Sequence, residues 1–163
     1  MPVTINGNGS ISGLSVGGLG SGVVNTATLA SGAITSSILP SGSVLQVKQS
    51  IRNEVATKTG SGFSAIPGLS VSITPSSASN KILVHVELGT VETTGNQYGH
   101  FIRLYKGGSH LTGASATNVG SRYACFLGGR TTNNNHSQGY SGQYLDTAGG
   151  TSAITYAVYW NAE

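Results

Sequence analysis

The stretch Lys81-Ile82-Leu83-Val84-His85-Val86-Glu87-Leu88 decides the fold of this protein. Its even-numbered positions are all apolar, and the side chains of a β-strand alternate between the two faces of a sheet. The stretch therefore predicts a strand with one face in a hydrophobic core. Leu69–Ile73 alternates in the same way, and Ala153–Trp160 adds β-branched and aromatic residues. Because no segment combines helical periodicity with capping residues, the sequence predicts an all-β protein.

Further short strands are predicted in the same part of the chain. Val44–Ile51 is expected to open the domain. Phe101–Tyr105 is followed by Gly107-Gly108 and a short strand at His110–Leu111, which indicates a hairpin because two-residue turns need positive φ. The other predicted strands are Arg122–Leu127 and Gly139–Leu145. Seven or eight short strands of this kind favour a β-sandwich, and a jelly roll in particular.

Charged residues are few and unevenly placed. The chain of 163 residues has eight basic and five acidic side chains, 8% of the total, where soluble domains have roughly 25%. Residues 1–47 contain no charged residue and no histidine, and the first charge is Lys48. We therefore predict an N-terminal arm over residues 1–43 and a β-sandwich domain over residues 44–163. The basic residues are scattered, so no nucleic-acid partner is expected.

The arm contains a repeat of ten residues. The pattern Leu-x-Ser-Gly-x-Val/Ile occurs three times, and its apolar anchors are Leu19, Val24, Leu29, Ile34, Leu39 and Val44. Such short units cannot bury their own apolar residues and must pack on another surface. A flexible Gly/Ser linker is the alternative, but a linker does not need regular anchors. We predict an extended Gly/Ser-rich arm that becomes ordered in an assembly.

Residues that carry chemistry are sparse. Gly13-Leu14-Ser15-Val16-Gly17 matches the G-x-S-x-G string, but no helix is predicted after it, so Ser15 is not expected to be a nucleophile. His85 and Glu87 share one strand face, which indicates a polar surface or, on a threefold axis, a site with one histidine from each of three chains. Cys125 has no cysteine partner and reads as a small buried residue. We expect no enzyme activity, metal or cofactor.

Two further expectations concern location. The N-terminus has no basic region followed by an apolar one, so it does not resemble a secretory signal. No apolar run approaches the length of about 20 residues that a membrane span needs. We expect synthesis in a host cytoplasm and no membrane partner.

The loop Thr131–His136 is the candidate recognition site. Its amides and hydroxyls, with a nearby aromatic ring, suit the recognition of sugar hydroxyls, although an ordinary exposed loop has the same composition. The candidate residues are Arg130, Asn133, Asn134, Asn135, His136 and Tyr140.

Three segments resemble virion proteins of tailed bacteriophages, especially aquatic and cyanobacterial ones. They are Leu39–Val47, the stretch Gly68–Val84 that contains Ile73-Thr-Pro-Ser-Ser-Ala-Ser-Asn80, and Leu145–Tyr156. The resemblance implies a low-charge arm leading into a β-sandwich that assembles as a homotrimer in the virion. The short chain favours a capsid cement or decoration protein on the outer capsid surface, bound to the major capsid protein. The alternatives are a tail fibre or spike tip that binds host surface glycan, and a β-sandwich adhesion or carbohydrate-binding module that functions as a free monomer, against which the uncharged arm speaks.

Overall fold

A computed structural model of the chain describes residues 4–5, 7, 11–12, 29–35, 38–93, 99–117, 123–130 and 136–162. The chain divides into two compact units, Met1–Leu45 and Gln46–Glu163, called here the arm unit and the sheet unit. This division lies two residues after the boundary predicted from the charges. In the arm unit, strand β1 (Thr4–Ile5) pairs antiparallel with β2 (Ile11–Ser12).

The sheet unit is built from antiparallel strands. They are β3 (Ser64–Ile73), β4 (Lys81–Thr93), β5 (Gly99–Lys106), β6 (Ser109–His110), β7 (Leu127–Arg130), β8 (His136–Thr147) and β9 (Ile154–Ala162). In the part of the chain that the structure describes, the only helix is one 3-10 turn at Thr112–Ala114. The prediction of an all-β protein is therefore confirmed.

The strands form two separate sheets. The main sheet has the order β3-β9-β5, and β6 and β7 both pair with the far edge of β5. The second sheet is a two-stranded ribbon of β4 and β8, paired from Lys81 opposite Thr147 to Thr93 opposite His136. The chain passes from the main sheet to the ribbon through β3 and β4, and again through β7 and β8. Consecutive long strands therefore lie in different layers.

The core lies between the ribbon and the main sheet. In the stretch that decides the fold, Ile82 and Val86 are buried, whereas Leu83 is 60% exposed. The alternation predicted for this strand is confirmed. The main core cluster takes buried residues from both layers: Ile66, Val86, Ile102, Leu104, Tyr140 and Val158. Ile102 and Leu104 of β5 are each only 1% exposed, so β5 lies at the centre of the core.

Two predicted strands are wrong. Val44–Ile51 forms no strand. In Arg122–Leu127, Arg122 lies outside the described residues, Tyr123–Phe126 form no strand, and only Leu127 lies in a strand. The physical reason in the first case is a bulge in β3, where the register shifts between Ala65 and Ser70. The bulge frees backbone carbonyls that side chains then satisfy.

Arg52 and Ser50 supply those side-chain donors. Arg52 Nη1 donates to the carbonyl of Pro67 at 2.7 Å, and Ser50 Oγ donates to the carbonyl of Gly68 at 2.5 Å. Gly68 has a φ of 79°, which favours glycine. Side chains, rather than a strand ladder, therefore attach residues 50–52 to the edge of the main sheet.

The predicted hairpin turn is present. Gly107 and Gly108 have φ values of 56° and 83°, as a type I′ turn requires. The turn pairs Tyr105 with His110 in register. The second strand of this hairpin, Ser109–His110, begins one residue earlier than predicted.

A polar cluster joins the ribbon to the main sheet. Lys106 Nζ lies 2.7 Å from Asp146 Oδ2, and the Tyr156 hydroxyl donates to the same oxygen at 2.6 Å. Lys106 Nζ also donates to the carbonyl of Thr147 at 2.7 Å. Burial by itself would raise the pKa of Asp146, but the hydrogen bonds from Lys106, from Tyr156 and from the backbone of Thr147, with the charge of Lys106, outweigh it and lower the pKa. The folded state therefore holds this carboxylate ionised.

The substitution Asp146→Asn is expected to reduce the free energy of unfolding near neutral pH by about 1–2 kcal/mol, because charge-assisted hydrogen bonds are lost. Folding lowers the pKa of Asp146, so this stabilisation is complete above the unfolded-state pKa and disappears as pH falls through the folded-state pKa. Urea unfolding of wild type and variant, near neutral pH and near pH ~2, measures it. A stability difference that does not shrink in acid would contradict the assignment.

Candidate functional site

The described part of the arm contains two equivalent turns. In the turn Ala30–Ala33 the last N–H donates to the first carbonyl at 2.9 Å, and in Pro40–Ser43 the same bond is 3.2 Å long. Gly32 and Gly42 occupy the third position of each turn with φ values of 79° and 89°, as type II turns require. The sequence repeat of ten residues is therefore also a repeat of local structure.

The anchors that flank these turns are exposed. Leu29 and Leu39 are each 38% exposed, Ile34 is 54% exposed and Val44 is 79% exposed. The other two predicted anchors, Leu19 and Val24, lie outside the described residues. The described anchors thus present apolar side chains from turns of defined shape, and only another surface can bury them.

The candidate recognition loop is only partly described. Arg130 ends β7 opposite Gly99, and His136 begins β8 opposite Thr93. Asn133, Asn134 and Asn135 lie outside the described residues.

Tyr140 is not an exposed recognition residue, so this part of the prediction is wrong. It is 7% exposed and belongs to the core, with its ring 5.6 Å from that of His100 in an edge-to-face contact. The reason is that β8 begins before Tyr140, at His136, and its alternation turns the Tyr140 side chain toward the main sheet. Burial raises the pKa of its phenol.

His85 and Glu87 lie on the outer side of the ribbon, and both are exposed. Their partners in register on β8 are Gln143 and Ser141. His85 Nε2 is 3.4 Å from Ser141 Oγ, which is a long hydrogen bond. Among the described residues no three metal-ligating side chains come together. Ser15, the other residue considered for chemistry, lies outside the described residues.

The outer side of the main sheet carries an aromatic cluster that sequence reasoning missed. The Arg103 guanidinium lies 3.8 Å above the centre of the Phe63 ring, within cation–π range. Tyr123 contacts Phe63 and Phe101 edge-on, with ring centres 5.5 Å and 5.4 Å apart. Arg103 Nε also donates to the carbonyl of Ala124 at 2.6 Å. Arg103 therefore fixes the segment that begins at Tyr123 against the sheet.

The same side of the sheet carries a row of stacked rings. Tyr159 is opposite Arg103 in register, and its ring stacks on that of Tyr105 at 3.6 Å. The His110 ring lies 5.8 Å beyond Tyr105, and burial, together with the charge of Arg103, lowers the His110 pKa. The signal for this surface was in the sequence. In β5, Arg103 and Tyr105 alternate with apolar core residues, and a strand that is rich in large side chains on both faces is usually covered on both.

A buried polar residue was also missed. Asn161 is 1% exposed, and neither its amide nitrogen nor its amide oxygen has a hydrogen-bond partner among the described residues. It lies opposite Phe101 in register. A buried polar group without a hydrogen-bond partner reduces the free energy of unfolding by about 1–3 kcal/mol. Asn161 therefore destabilises the fold.

Comparison of the chain with protein-family models, curated proteins and solved structures finds no match. Within the described ranges, no helix has the length and apolarity that spanning a membrane requires. The arm anchors and the surfaces of the two sheets are therefore the basis for a functional proposal.

The substitution Arg103→Met is expected to loosen residues 123–126, because it removes both the hydrogen bond to Ala124 and the cation–π contact with Phe63. Cys125 lies in this segment and is half-buried, and burial raises the pKa of its thiol. Loss of the Arg103 charge by itself raises the thiol pKa and slows the reaction, so a reaction with Ellman's reagent several times faster in the variant than in wild type reports the loosening of the segment. Lys81→Met, which removes an exposed cation from the ribbon, is the control. Equal rates in all three proteins would refute this role for Arg103.

Proposed function

We propose that this protein is a structural protein of a tailed-bacteriophage virion, namely a trimeric capsid cement or decoration protein. In this proposal the arm grips the outer surface of the icosahedral shell and the sheet unit projects outward. The observation that carries the proposal is the set of exposed anchors in the arm, each at least 38% exposed in the described residues. The resemblance of Leu39–Val47, Gly68–Val84 and Leu145–Tyr156 to phage virion proteins supplies the context.

We further propose that the sheet unit is a jelly roll. A jelly roll has two antiparallel sheets and a chain that wraps from one to the other. The order β3-β9-β5-β7 in one layer and β4-β8 in the other supports this assignment, as do the crossings from β3 to β4 and from β8 to β9.

The arm is suited to gripping a shell because it is neutral. Residues 1–47 carry no charge, so docking removes no ion from water and avoids the cost of doing so. Binding would come from apolar anchors entering shallow pockets and from backbone pairing with exposed strand edges of the major capsid protein. The turns at Gly32 and Gly42 set the spacing between anchors before docking, which reduces the conformational entropy lost on binding.

Trimer formation would strengthen the binding of the protein to the shell. A single arm with a few apolar anchors binds weakly, but three arms on one trimer raise the effective concentration of each remaining arm after the first has docked. The outward surface of the trimer would carry the β7–β8 loop. Binding of host glycan by that loop belongs to the alternative function, a tail fibre or spike tip.

Deletion of residues 1–43 is expected to leave a folded sheet unit that no longer binds shells. In the full chain, the fourfold variant with serine at Leu29, Ile34, Leu39 and Val44 should lose binding in the same way, because the anchors become polar. Co-sedimentation with shells that lack the protein measures binding, and circular dichroism checks the fold. Leu83→Ser with Leu145→Ser, an equally exposed pair on the ribbon, is the control. Truncated protein that still decorates shells would eliminate the arm as the gripping part.

Salt is expected to have little effect on the binding of wild type to shells. At about 1 M salt the Debye length is about 3 Å, so contacts between exposed charges are screened while apolar and backbone contacts persist. The shell-bound fraction after washing at low and high salt measures this. Release by salt would assign the grip to the charged sheet unit. Binding to host cells or glycans without binding to shells would favour the tail-tip alternative.

A further inference from the structure

Arg103 is a cation without an acidic partner on the outer side of the main sheet. Its side chain is half-buried, and neither of the two ion pairs formed among the described residues includes it. Charged side chains that are withdrawn from water are usually paired. The charge also acts on a neighbour, because it contributes, after burial, to the lowered pKa of His110. This side of the sheet therefore has a positive charge that no described carboxylate balances.

The guanidinium of Arg103 is held in one orientation. Its Nε donates to the carbonyl of Ala124 at 2.6 Å, and the Phe63 ring lies against its flat face. Among the described residues, its terminal nitrogens Nη1 and Nη2 have no hydrogen-bond acceptor. An arginine whose donors are already oriented binds a carboxylate through two parallel hydrogen bonds and loses little side-chain entropy. The terminal nitrogens of Arg103 are therefore donors available to a carboxylate.

Asn161 is a second unsatisfied polar group on the same side of the sheet. It follows Tyr159 by two residues in β9, and Tyr159 is opposite Arg103 in register, so Asn161 and Arg103 are diagonal neighbours on adjacent strands. Asn161 is 1% exposed, and its amide has no hydrogen-bond partner among the described residues. An amide nitrogen can donate two hydrogen bonds. A carboxylate between the two side chains would accept hydrogen bonds from both.

Half-buried aromatic rings and exposed hydroxyls surround these two polar groups. The rings are those of Phe63, Phe101, Tyr105, Tyr123 and Tyr159. The exposed hydroxyls are those of Ser70, Ser72 and Thr155, and Ser72 Oγ lies 2.7 Å from Thr155 Oγ1. Strands β3 and β9 have no charged residue, and the other cation of β5, Lys106, is paired with the ribbon. This side of the sheet therefore combines one cation with rings and uncharged hydroxyls.

We propose that the outer side of the main sheet binds a glycan that contains a carboxylate sugar, and that Arg103 and Asn161 hold the carboxylate. A single cation matches an isolated carboxylate, whereas nucleic acids and anionic membranes are bound by clustered lysines and arginines. The aromatic rings can cover the apolar faces of sugar rings, and the serine and threonine hydroxyls can both donate to and accept from sugar hydroxyls. The charge, the rings and the hydroxyls thus match one class of ligand.

This inference goes beyond the proposed function and does not depend on it. It concerns the sheet unit, whereas the arm is the part proposed to grip the shell. It also differs from the tail-tip alternative, because it places the glycan on the sheet and not on the β7–β8 loop. Shell binding by a neutral arm should persist at high salt, but glycan binding through Arg103 should weaken, so each proposal can fail without the other.

The destabilising effect of Asn161 on the fold gives the inference a second readout. Leucine has a similar size and leaves no buried amide unsatisfied, so Asn161→Leu should raise the urea midpoint. The same substitution should weaken glycan binding by about tenfold, because the carboxylate loses a donor. A residue with a purely structural role would not combine greater stability with weaker binding.

The test is isothermal titration calorimetry of the full chain with sialyllactose and with tetragalacturonate. Each glycan is compared with a counterpart whose carboxylates have been reduced to alcohols. Wild type is expected to bind at least one acidic glycan about tenfold more tightly than its reduced counterpart. Raising the salt from about 0.1 M to about 1 M shortens the Debye length from about 10 Å to about 3 Å and should weaken this binding severalfold.

Two variants locate the binding on this side of the sheet. Asn161→Leu removes the amide, and Arg103→Lys keeps the charge but replaces the planar fork of donors by a single ammonium group. Both should weaken binding of the acidic glycan and leave binding of the reduced glycan unchanged. Asn53→Leu, which replaces an exposed asparagine outside this surface, is the matched control and should bind like wild type. Urea unfolding establishes that each variant is folded.

Several outcomes would overturn the inference. One is that wild type binds neither acidic glycan, or binds each no more tightly than its reduced counterpart. Another is that folded Asn161→Leu and Arg103→Lys bind the acidic glycan like wild type. Tighter binding of tetraglutamate than of either glycan would assign the site to an acidic peptide. Glycan binding by a protein that does not bind shells would instead overturn the proposed function and leave this site standing.

Discussion

The packing of the β4–β8 ribbon on the main sheet is the interaction on which the rest of the sheet unit depends. A two-stranded ribbon is marginally stable by itself in water. Val86 and Tyr140 on the inner side of the ribbon are buried against Ile102 and Leu104 of β5, and this contact holds the two layers together. At the edge, Lys106 and Asp146 add a hydrogen-bonded ion pair. The ribbon therefore exists as a layer because the main sheet covers its apolar face.

The same packing leaves one side of the domain open. β3 pairs only with β9, and β4 pairs only with β8 among the described residues, and the groove between these strands is also lined by residues 48–56. The bulge in β3 keeps residues 46–56 from joining the main sheet as a further strand. Its carbonyls are bound by side chains of Ser50 and Arg52, whereas Val47, Ile51 and Val55 of the same segment are exposed.

The alternation of apolar and polar residues was sufficient to predict strands in both layers. It did not predict which segments pair at the edges of the sheets. The pattern in Lys81–Leu88 and Ala153–Trp160 depends on burial of one face. Lys81–Leu88 lies in β4, and all of Ala153–Trp160 except its first residue lies in β9. The Gly107-Gly108 turn was predictable because its conformation excludes most other residues. Val44–Ile51 has strand-like composition, yet its backbone has no ladder to join, since the pairing depends on a bulge about 15 residues later. Because that bulge is distant in the sequence, the segment itself carries no signal that it will stay unpaired.

The residues of the candidate site were likewise predictable only where the signal is local in the sequence. Tyr140 follows a run of amides and polar residues, and composition alone assigned it to the loop, whereas the start of β8 at His136 fixes its side chain inward. The cluster around Arg103 joins residues from three separate segments, Phe63, Phe101 and Tyr123, so the sequence of β5 indicates a covered outer face but not which residues cover it. By contrast, the arm anchors were found because their repeat is local. The turns at Gly32 and Gly42 recur at the same spacing as the sequence pattern.

The uneven distribution of charge fits an assembly in which copies of the arm start close together. In a ring with cyclic symmetry, each residue of one arm has equivalents in the others at the same distance from the axis. A charge near the axis would therefore meet like charges, which repel unless they are screened or paired. Residues 1–47 avoid this cost because they have no charge. The sheet unit carries all eight basic and all five acidic side chains. Neutrality in the arm is thus what a closed ring of arms, as in the proposed trimer, would require.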